Sequence, residues 1–171
     1  MYEKPFFSVI VPTYSRLPML KQTLEHLNRQ TYARDRYEII VVDDGSTDGT
    51  EPYLQELKKQ KALHYIRQSN SGPAQARNAG ADLAKGEVLA FTDDDCLPDA
   101  NWLTALAGAY ADHQKDKIGG IGGKIENIAN DRFLQRYYQV QGGYHTEHEA
   151  RPHLYLDTAN ASFPRSIFME M

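Results

Sequence analysis

Three short apolar runs, each closed by a polar cluster, constrain this chain more than anything else in it. Phe6-Phe7-Ser8-Val9-Ile10-Val11 stops at Pro12, and Tyr37-Glu38-Ile39-Ile40-Val41-Val42 breaks at Asp43-Asp44-Gly45-Ser46. Glu87-Val88-Leu89-Ala90-Phe91 runs into Thr92-Asp93-Asp94-Asp95. Runs this short and this rich in β-branched and aromatic residues read as buried strands. Helical patterns lie between them. Pro18 opens a helix with Leu20, Leu24 and Leu27 on one face, and a second starts near Asp48 with Leu54 and Leu57 on one side. Leu63-His64-Tyr65-Ile66 reads as a third, shorter strand. An alanine-rich helix over residues 72–85 is expected to end at Gly86 as a C-cap, and Asp99 is the expected N-cap of a helix carrying Trp102, Leu103 and Leu106. Such alternation predicts an α/β fold with a mainly parallel sheet flanked by helices.

In open parallel sheets ligands bind beyond the carboxyl ends of the strands. Thr13-Tyr14-Ser15-Arg16, Asp43-Asp44-Gly45-Ser46 and Asp93-Asp94-Asp95 all follow a strand at that end, so the fold should gather them on one rim. Three consecutive carboxylates repel one another and raise their own pKa values unless a cation or several donors sit among them. A hard divalent ion with oxygen ligands answers that need, and magnesium and manganese sites commonly combine one or two carboxylates with substrate phosphates. Asp93 and Asp95 are the candidate ligands. The bland reading of such a run is a solvated turn or a cap, and its place after an apolar strand argues against it. In the Asp43-to-Thr50 stretch, turn chemistry accounts for Gly45, Ser46 and Thr47. It does not explain two carboxylates at a strand end, one of which could accept from a base or a ribose hydroxyl. Arg77 and Asn78 lie on the alanine-rich helix, where Arg77 is either an ordinary surface arginine or a bidentate partner for anionic oxygen.

Size and charge exclude several classes. A chain of 171 residues suits one domain with a continuous core. A net charge of −4 with mixed signs lacks the basic face of a nucleic-acid binder. Cys96 is the only cysteine, so no internal disulfide can form. No apolar run approaches the roughly 18 residues of a membrane span. A cytoplasmic protein is the expectation, with peripheral attachment at the cytoplasmic face of the membrane left open.

Beyond residue 112 the pattern is irregular. Residues 118–125 read as a glycine-rich strand, 133–140 as a helix, 141–153 as a polar loop, 155–161 as a further strand, and a helix begins near the end. Gly119-Gly120-Ile121-Gly122-Gly123-Lys124 is not a phosphate loop, because Ile125 stands where a Walker A motif needs Ser or Thr. His145, His148 and His153 with Glu147 and Glu149 have no helical pattern to make a metal site, and a solvated loop is the better reading. Cys96 has no nearby His and there is no G-x-S-x-G elbow, so nucleophilic hydrolase chemistry has no support.

Four blocks in fixed order resemble the inverting, nucleotide-sugar-dependent glycosyltransferases of the GT-A fold, the large family 2: residues 8–16, 38–48, 72–80 and 86–95. Residues 158–165 resemble a later family block near the acceptor. The resemblance implies a Rossmann-like GT-A domain over residues 1–171, with a nucleotide-binding half over about 1–112 and the incomplete start of an acceptor-binding half over 113–171. By position, Pro12, Thr13 and Tyr14 would line the base pocket and Asp44 would hydrogen-bond the base. Arg16, Asp43 and Arg77 would lie near the nucleotide. Asp93-Asp94-Asp95 matches the D-x-D motif, with Asp93 toward ribose and metal, Asp95 the main ligand of Mn²⁺ or Mg²⁺, and Asp94 in the variable middle position, counted with the nucleotide-binding residues. The implied partners are a nucleotide-sugar donor, UDP-sugar favoured, and a glycan, lipid-linked or other hydroxyl acceptor.

The same resemblance places the catalytic base in a Glu-Asp type motif beyond Met171, so the chain reads as truncated on its carboxyl-terminal side, competent to bind donor without efficient transfer. A catalytically silent nucleotide-sugar or glycan binding module is the alternative. A sugar nucleotidyltransferase ranks third, because Pro12-Thr13-Tyr14-Ser15 is not the glycine-rich basic loop such enzymes carry after their first strand.

Overall fold

In a computed structural model of the chain, the residues described are 4–113, 118–125 and 157–171. The elements are β1 Phe7–Thr13, α1 Leu17–Asn28, β2 Tyr37–Asp43, α2 Thr50–Lys59, β3 His64–Arg67, α3 Pro73–Leu83, β4 Val88–Phe91, α4 Trp102–Asp112, β5 Ile121–Gly122, β6 Ala161–Pro164 and a single turn of helix, α5 Arg165–Phe168. One sheet has the order β3-β2-β1-β4-β6-β5. β3, β2, β1 and β4 run parallel, while β6 is antiparallel to both β4 and β5.

Every residue of β1, β2 and β4 is buried, as a strand covered on both faces requires. Alternation divides their side chains. Phe7, Val9, Val11, Ile39 and Val41 face a core filled by Leu20, Leu24 and Leu27 of α1, Leu54 of α2 and Trp102, Leu103 and Leu106 of α4. Ile10, Ile40, Val42, Leu89 and Phe91 face α3 through Ala76 and Ala81. Gly80 lets α3 sit this close, since a Cβ there would lie 2.6 Å from Cγ2 of Ile10. Phe91, Phe163 and Phe168 form an aromatic cluster that seats β6 and α5, with ring centroids 5.1 to 6.0 Å apart.

Several boundaries differ from the sequence reading. β1 does not stop at Pro12 but continues to Thr13, paired with Val42 and Asp43 of β2. The proline is tolerated because the β1–β4 ladder ends at Ile10 opposite Phe91. Gly86 is not the C-cap of α3, which ends at Leu83 with Ala84 extended. A Cβ at Gly86 would stand 2.4 Å from the Ser8 nitrogen, so the glycine marks a close crossing of two main chains. Asp99 is not the N-cap of α4. That position is Asn101, whose N–H the Asp99 carboxylate accepts at 2.8 Å. The glycine-rich strand shrinks to Ile121–Gly122, and Thr158–Asn160 is a 3-10 turn preceding β6. The expected helix over 133–140, the loop over 141–153 with His145, Glu147, His148, Glu149 and His153, and Tyr155 and Leu156 lie outside the described residues.

The strand order reverses between β1 and β4, since β2 and β3 extend to one side of β1 and β4 lies on the other. That switch point is where an open α/β sheet offers a crevice.

Candidate functional site

The crevice opens where Thr92 N donates to Ile10 O, the last main-chain bond between β1 and β4. Beyond it side chains span the gap: Thr13 Oγ1 donates to Asp94 Oδ2 at 2.7 Å, and Arg16 reaches Asp94 and Asp95. Asp94 is buried, whereas Asp95 is exposed and Asp93 half-buried. The middle residue of the D-x-D sequence therefore turns inward and its neighbours turn to the rim. Burial pushes the Asp94 carboxyl up from the usual range; the Thr13 hydroxyl, Arg16 and the Tyr14 main-chain N–H pull it down, and the charge of Asp95 adds to the rise. Desolvation rather than repulsion within the run is the leading cause.

Two arginines serve as the cations that three adjacent carboxylates call for. Arg77 of α3 donates to Asp93 Oδ1 at 2.6 Å. Arg16, the N-cap residue of α1, places one nitrogen 2.9 Å from Asp95 Oδ2 and 3.4 Å from Asp94 Oδ1. Arg77 Nε is buried with no hydrogen-bond partner among the described residues. Arg77 is thus no ordinary surface arginine.

Asp44 is buried and accepts three hydrogen bonds, from Gln68 Nε2 at 2.7 Å and the main-chain N–H groups of Ser71 and Gly72 at 2.8 Å each. Gly72 supplies the φ of +89° that aims its amide at the carboxylate. Since an ionised carboxylate offers about four acceptor positions, one remains open. Asp43 is fully buried; Oδ1 accepts from Ser46 N at 2.8 Å and Oδ2 lies 3.4 Å from the Tyr65 hydroxyl and 3.5 Å from Arg67. It sits beneath the rim and shapes the turn. Pro12 is buried behind Thr13, and Tyr14 is exposed.

Sequence reasoning missed the residues that tie these loops together. Ser15 N donates to Ser46 Oγ, Thr47 N to Ser15 Oγ, and Leu17 N to Asp48 Oδ2, at 2.8, 3.1 and 3.1 Å, so the loops after β1 and β2 are laced reciprocally. Thr50 holds the Asp48 carboxyl below its usual range through its side-chain hydroxyl. Thr23 Oγ1 lies 2.8 Å from Asp94 O and 2.7 Å from Cys96 O and pins the aspartate loop to α1. A threonine on the leucine face of that helix was the available signal. Burial raises the pKa of the Cys96 thiol, which makes it a poor nucleophile.

On the other flank, antiparallel pairing of Phe91 with Ala161 sets Asn160 at the rim beside the end of β4. Trp102 Nε1 donates to Asn160 Oδ1 at 2.8 Å, and Asn160 Nδ2 to Lys124 O at 3.0 Å. Asp157, a late carboxylate, accepts from Ala159 N and caps the 3-10 turn.

An open α/β sheet with a carboxylate- and arginine-lined crevice at its switch point belongs to the class that takes a ligand across its carboxyl edge. The sequence model described as "Glycosyl transferase family 2" matches residues 8–171, and the chain belongs to that family. It is 35% identical over 122 residues to glycosyltransferase AglE of Haloferax volcanii, covering 68% of this chain and 39% of that one. It is 37% identical over 116 residues to validoxylamine A glucosyltransferase of Streptomyces hygroscopicus subsp. jinggangensis, covering 67% and 28%. Among solved structures, a mannosyltransferase from Pyrobaculum calidifontis in complex with GDP-Man and Mn²⁺ superposes with a TM-score of 0.76 at 27% identity, over 98% of this chain and 47% of that one. S. aureus TarS 1-349 in complex with UDP-GlcNAc shares the fold at a TM-score of 0.70 and 23% identity, over 96% and 46%. The fold is accordingly GT-A-like, and the chain spans less than half the length of these relatives. Among the described residues no helix is long and apolar enough to cross a membrane, and no three His, Cys, Asp or Glu side chains form a ready metal cage.

Proposed function

We propose that this chain forms the donor-binding part of a glycosyltransferase that takes a nucleoside diphosphate sugar into the β1–β4 crevice and passes the hexose, with inversion, to an acceptor hydroxyl. One observation carries the reading: Asp93 and Asp95 stand at the end of β4, each paired with an arginine, Arg77 at 2.6 Å and Arg16 at 2.9 Å. Carboxylates suit a hard cation, and guanidinium groups suit a diphosphate. Two carboxylates at the rim, Asp93 half-buried and Asp95 exposed, suit Mn²⁺ or Mg²⁺, which they would hold together with phosphate oxygens. Such an ion, when bound, supplies stabilisation of negative charge on the leaving nucleoside diphosphate.

The chain's own residues do the rest. Asp44, fixed by three donors, keeps one acceptor position for an N–H of the base, while Pro12, Thr13 and Tyr14 line the base pocket. Asp43 acts from below by holding the Ser46 turn. Arg77, held against Asp93, brings its guanidinium to the nucleotide side of the crevice. Asp94 stays behind the rim and orients its neighbours through Thr13. A UDP-sugar is the favoured donor, although the two solved relatives hold different donors, UDP-GlcNAc and GDP-Man. Acceptor selection belongs to the flank around Asn160.

The test is release of nucleoside diphosphate from UDP-GlcNAc, UDP-Glc and GDP-Man by the intact protein with Mn²⁺. Asp95→Ala should lower turnover by about 100-fold or more, the scale of losing a charge-stabilising contact in a transition state. Equal turnover in both proteins would refute the proposal.

A further inference from the structure

Arg16 holds Asp95, one of the two carboxylates that the proposed reading gives to the metal. Its guanidinium bridges Asp94 and Asp95 through one nitrogen, at 3.4 and 2.9 Å, while its side chain is 53% exposed. The backbone beneath it is fixed, because the Arg16 carbonyl accepts from the N–H groups of Met19 and Leu20 at the start of α1. A rooted residue with a half-exposed head can change partners without any movement of the fold. Arg77 differs, since its side chain is 16% exposed and grips Asp93 from inside α3.

We propose that Arg16 is an exchangeable counter-cation: it neutralises the Asp94–Asp95 pair in the empty site and yields Asp95 to a divalent ion only when a diphosphate is present to receive its guanidinium. This rests on the proposed donor site. The physical reason is that a divalent ion and a guanidinium on the same carboxylate repel each other strongly at such separations, even with partial screening. Arg16 must therefore leave Asp95 as the ion arrives, and without an anion within reach water alone replaces its carboxylate partner. A diphosphate within reach of the crevice offers a bidentate partner instead. Metal and nucleotide are then coupled through one side chain: the ion alone binds weakly, and the two together bind well.

The experiment measures Mn²⁺ binding to the intact protein by electron paramagnetic resonance, without nucleotide and with saturating UDP, for wild type, Arg16→Gln and Arg16→Lys. Arg16→Gln should bind Mn²⁺ alone about three- to tenfold tighter, because a competing surface cation is gone. The same variant should bind Mn²⁺ with UDP several-fold more weakly. Arg16→Lys, which keeps the charge, should bind the lone ion as weakly as wild type. Shifts of the same sign in both conditions, or none in Arg16→Gln, overturn the inference while leaving the donor site standing. A lysine variant that behaves like glutamine on the lone ion also overturns it. Absence of any UDP-enhanced Mn²⁺ binding in wild type removes both the inference and the function on which it rests.

Discussion

Ser8→Ala should destabilise the protein without touching the candidate site. Ser8 is fully buried near the amino end of β1; its hydroxyl donates to Glu38 Oε1 at 2.6 Å and accepts from Gly86 N at 2.8 Å. Glu38, also buried, takes a further bond from Lys85 N at 2.7 Å and lies 3.1 Å from His64 Nε2. One hydroxyl thus links β1, β2 and the turn before β4. Removing it strands the Gly86 N–H, at about 1–3 kcal/mol, and takes a charge-assisted donor from the carboxylate, at about 1.5–3 kcal/mol; the two overlap, so about 2–4 kcal/mol is expected. With a urea m-value of about 2 kcal/mol/M, the midpoint should fall by roughly 1–2 M with m unchanged. Thr13 lies five residues further along the strand, about 16 Å away, so affinity for UDP with Mn²⁺ should stay at the wild-type value. A double-mutant cycle with Glu38→Ala should show coupling on the order of 1–2 kcal/mol. A loss below about 1 kcal/mol, or additive effects in the cycle, would refute the account of this junction.

Gly86→Ala should be more damaging still, because its Cβ would meet main-chain atoms of Ser8 and Phe6 at 2.4 and 2.8 Å and neither strand can yield; soluble expression and thermal unfolding check this. Burial, and then the charge of Asp43, push the Tyr65 hydroxyl up to about 12. Since the folded form holds its proton above the unfolded value near 10, this hydroxyl contributes stability that is intact below about pH 10 and is lost as pH rises toward 12. Tyr65→Phe should flatten that alkaline limb in denaturant titrations. Asp44→Ala should raise amide hydrogen exchange at Ser71 and Gly72, because its carboxylate holds the loop before α3, and should abolish nucleotide binding if it takes the base as proposed.

What the sequence shows of this fold, it shows through burial. β1 and β2 are legible because all seven residues of each are covered, which leaves the apolar runs at residues 9–12 and 39–42. The Leu20, Leu24 and Leu27 face of α1 is legible for the same reason. The gathering of the three polar clusters on one rim follows from parallel topology alone. The division of labour within the Asp93-Asp94-Asp95 run was hidden, because it depends on Thr13, 81 positions away from Asp94. The donors to Asp44 lie 24 to 28 positions downstream. Gly86 shows how a local rule misleads: a glycine after a helix reads as a cap, and here its absent side chain makes room for a neighbouring strand.

In the proposed function the aspartates ending β4 hold a divalent ion against a nucleoside diphosphate. Titration calorimetry of UDP and GDP into the intact protein, with Mn²⁺ and with chelator, tests it most directly. The account predicts that Mn²⁺ tightens binding at least about tenfold, a difference of roughly 1.4 kcal/mol, and that Asp93→Asn and Asp95→Asn each erase that gain. Equal affinity with and without the ion, or a gain that survives both substitutions, would contradict it.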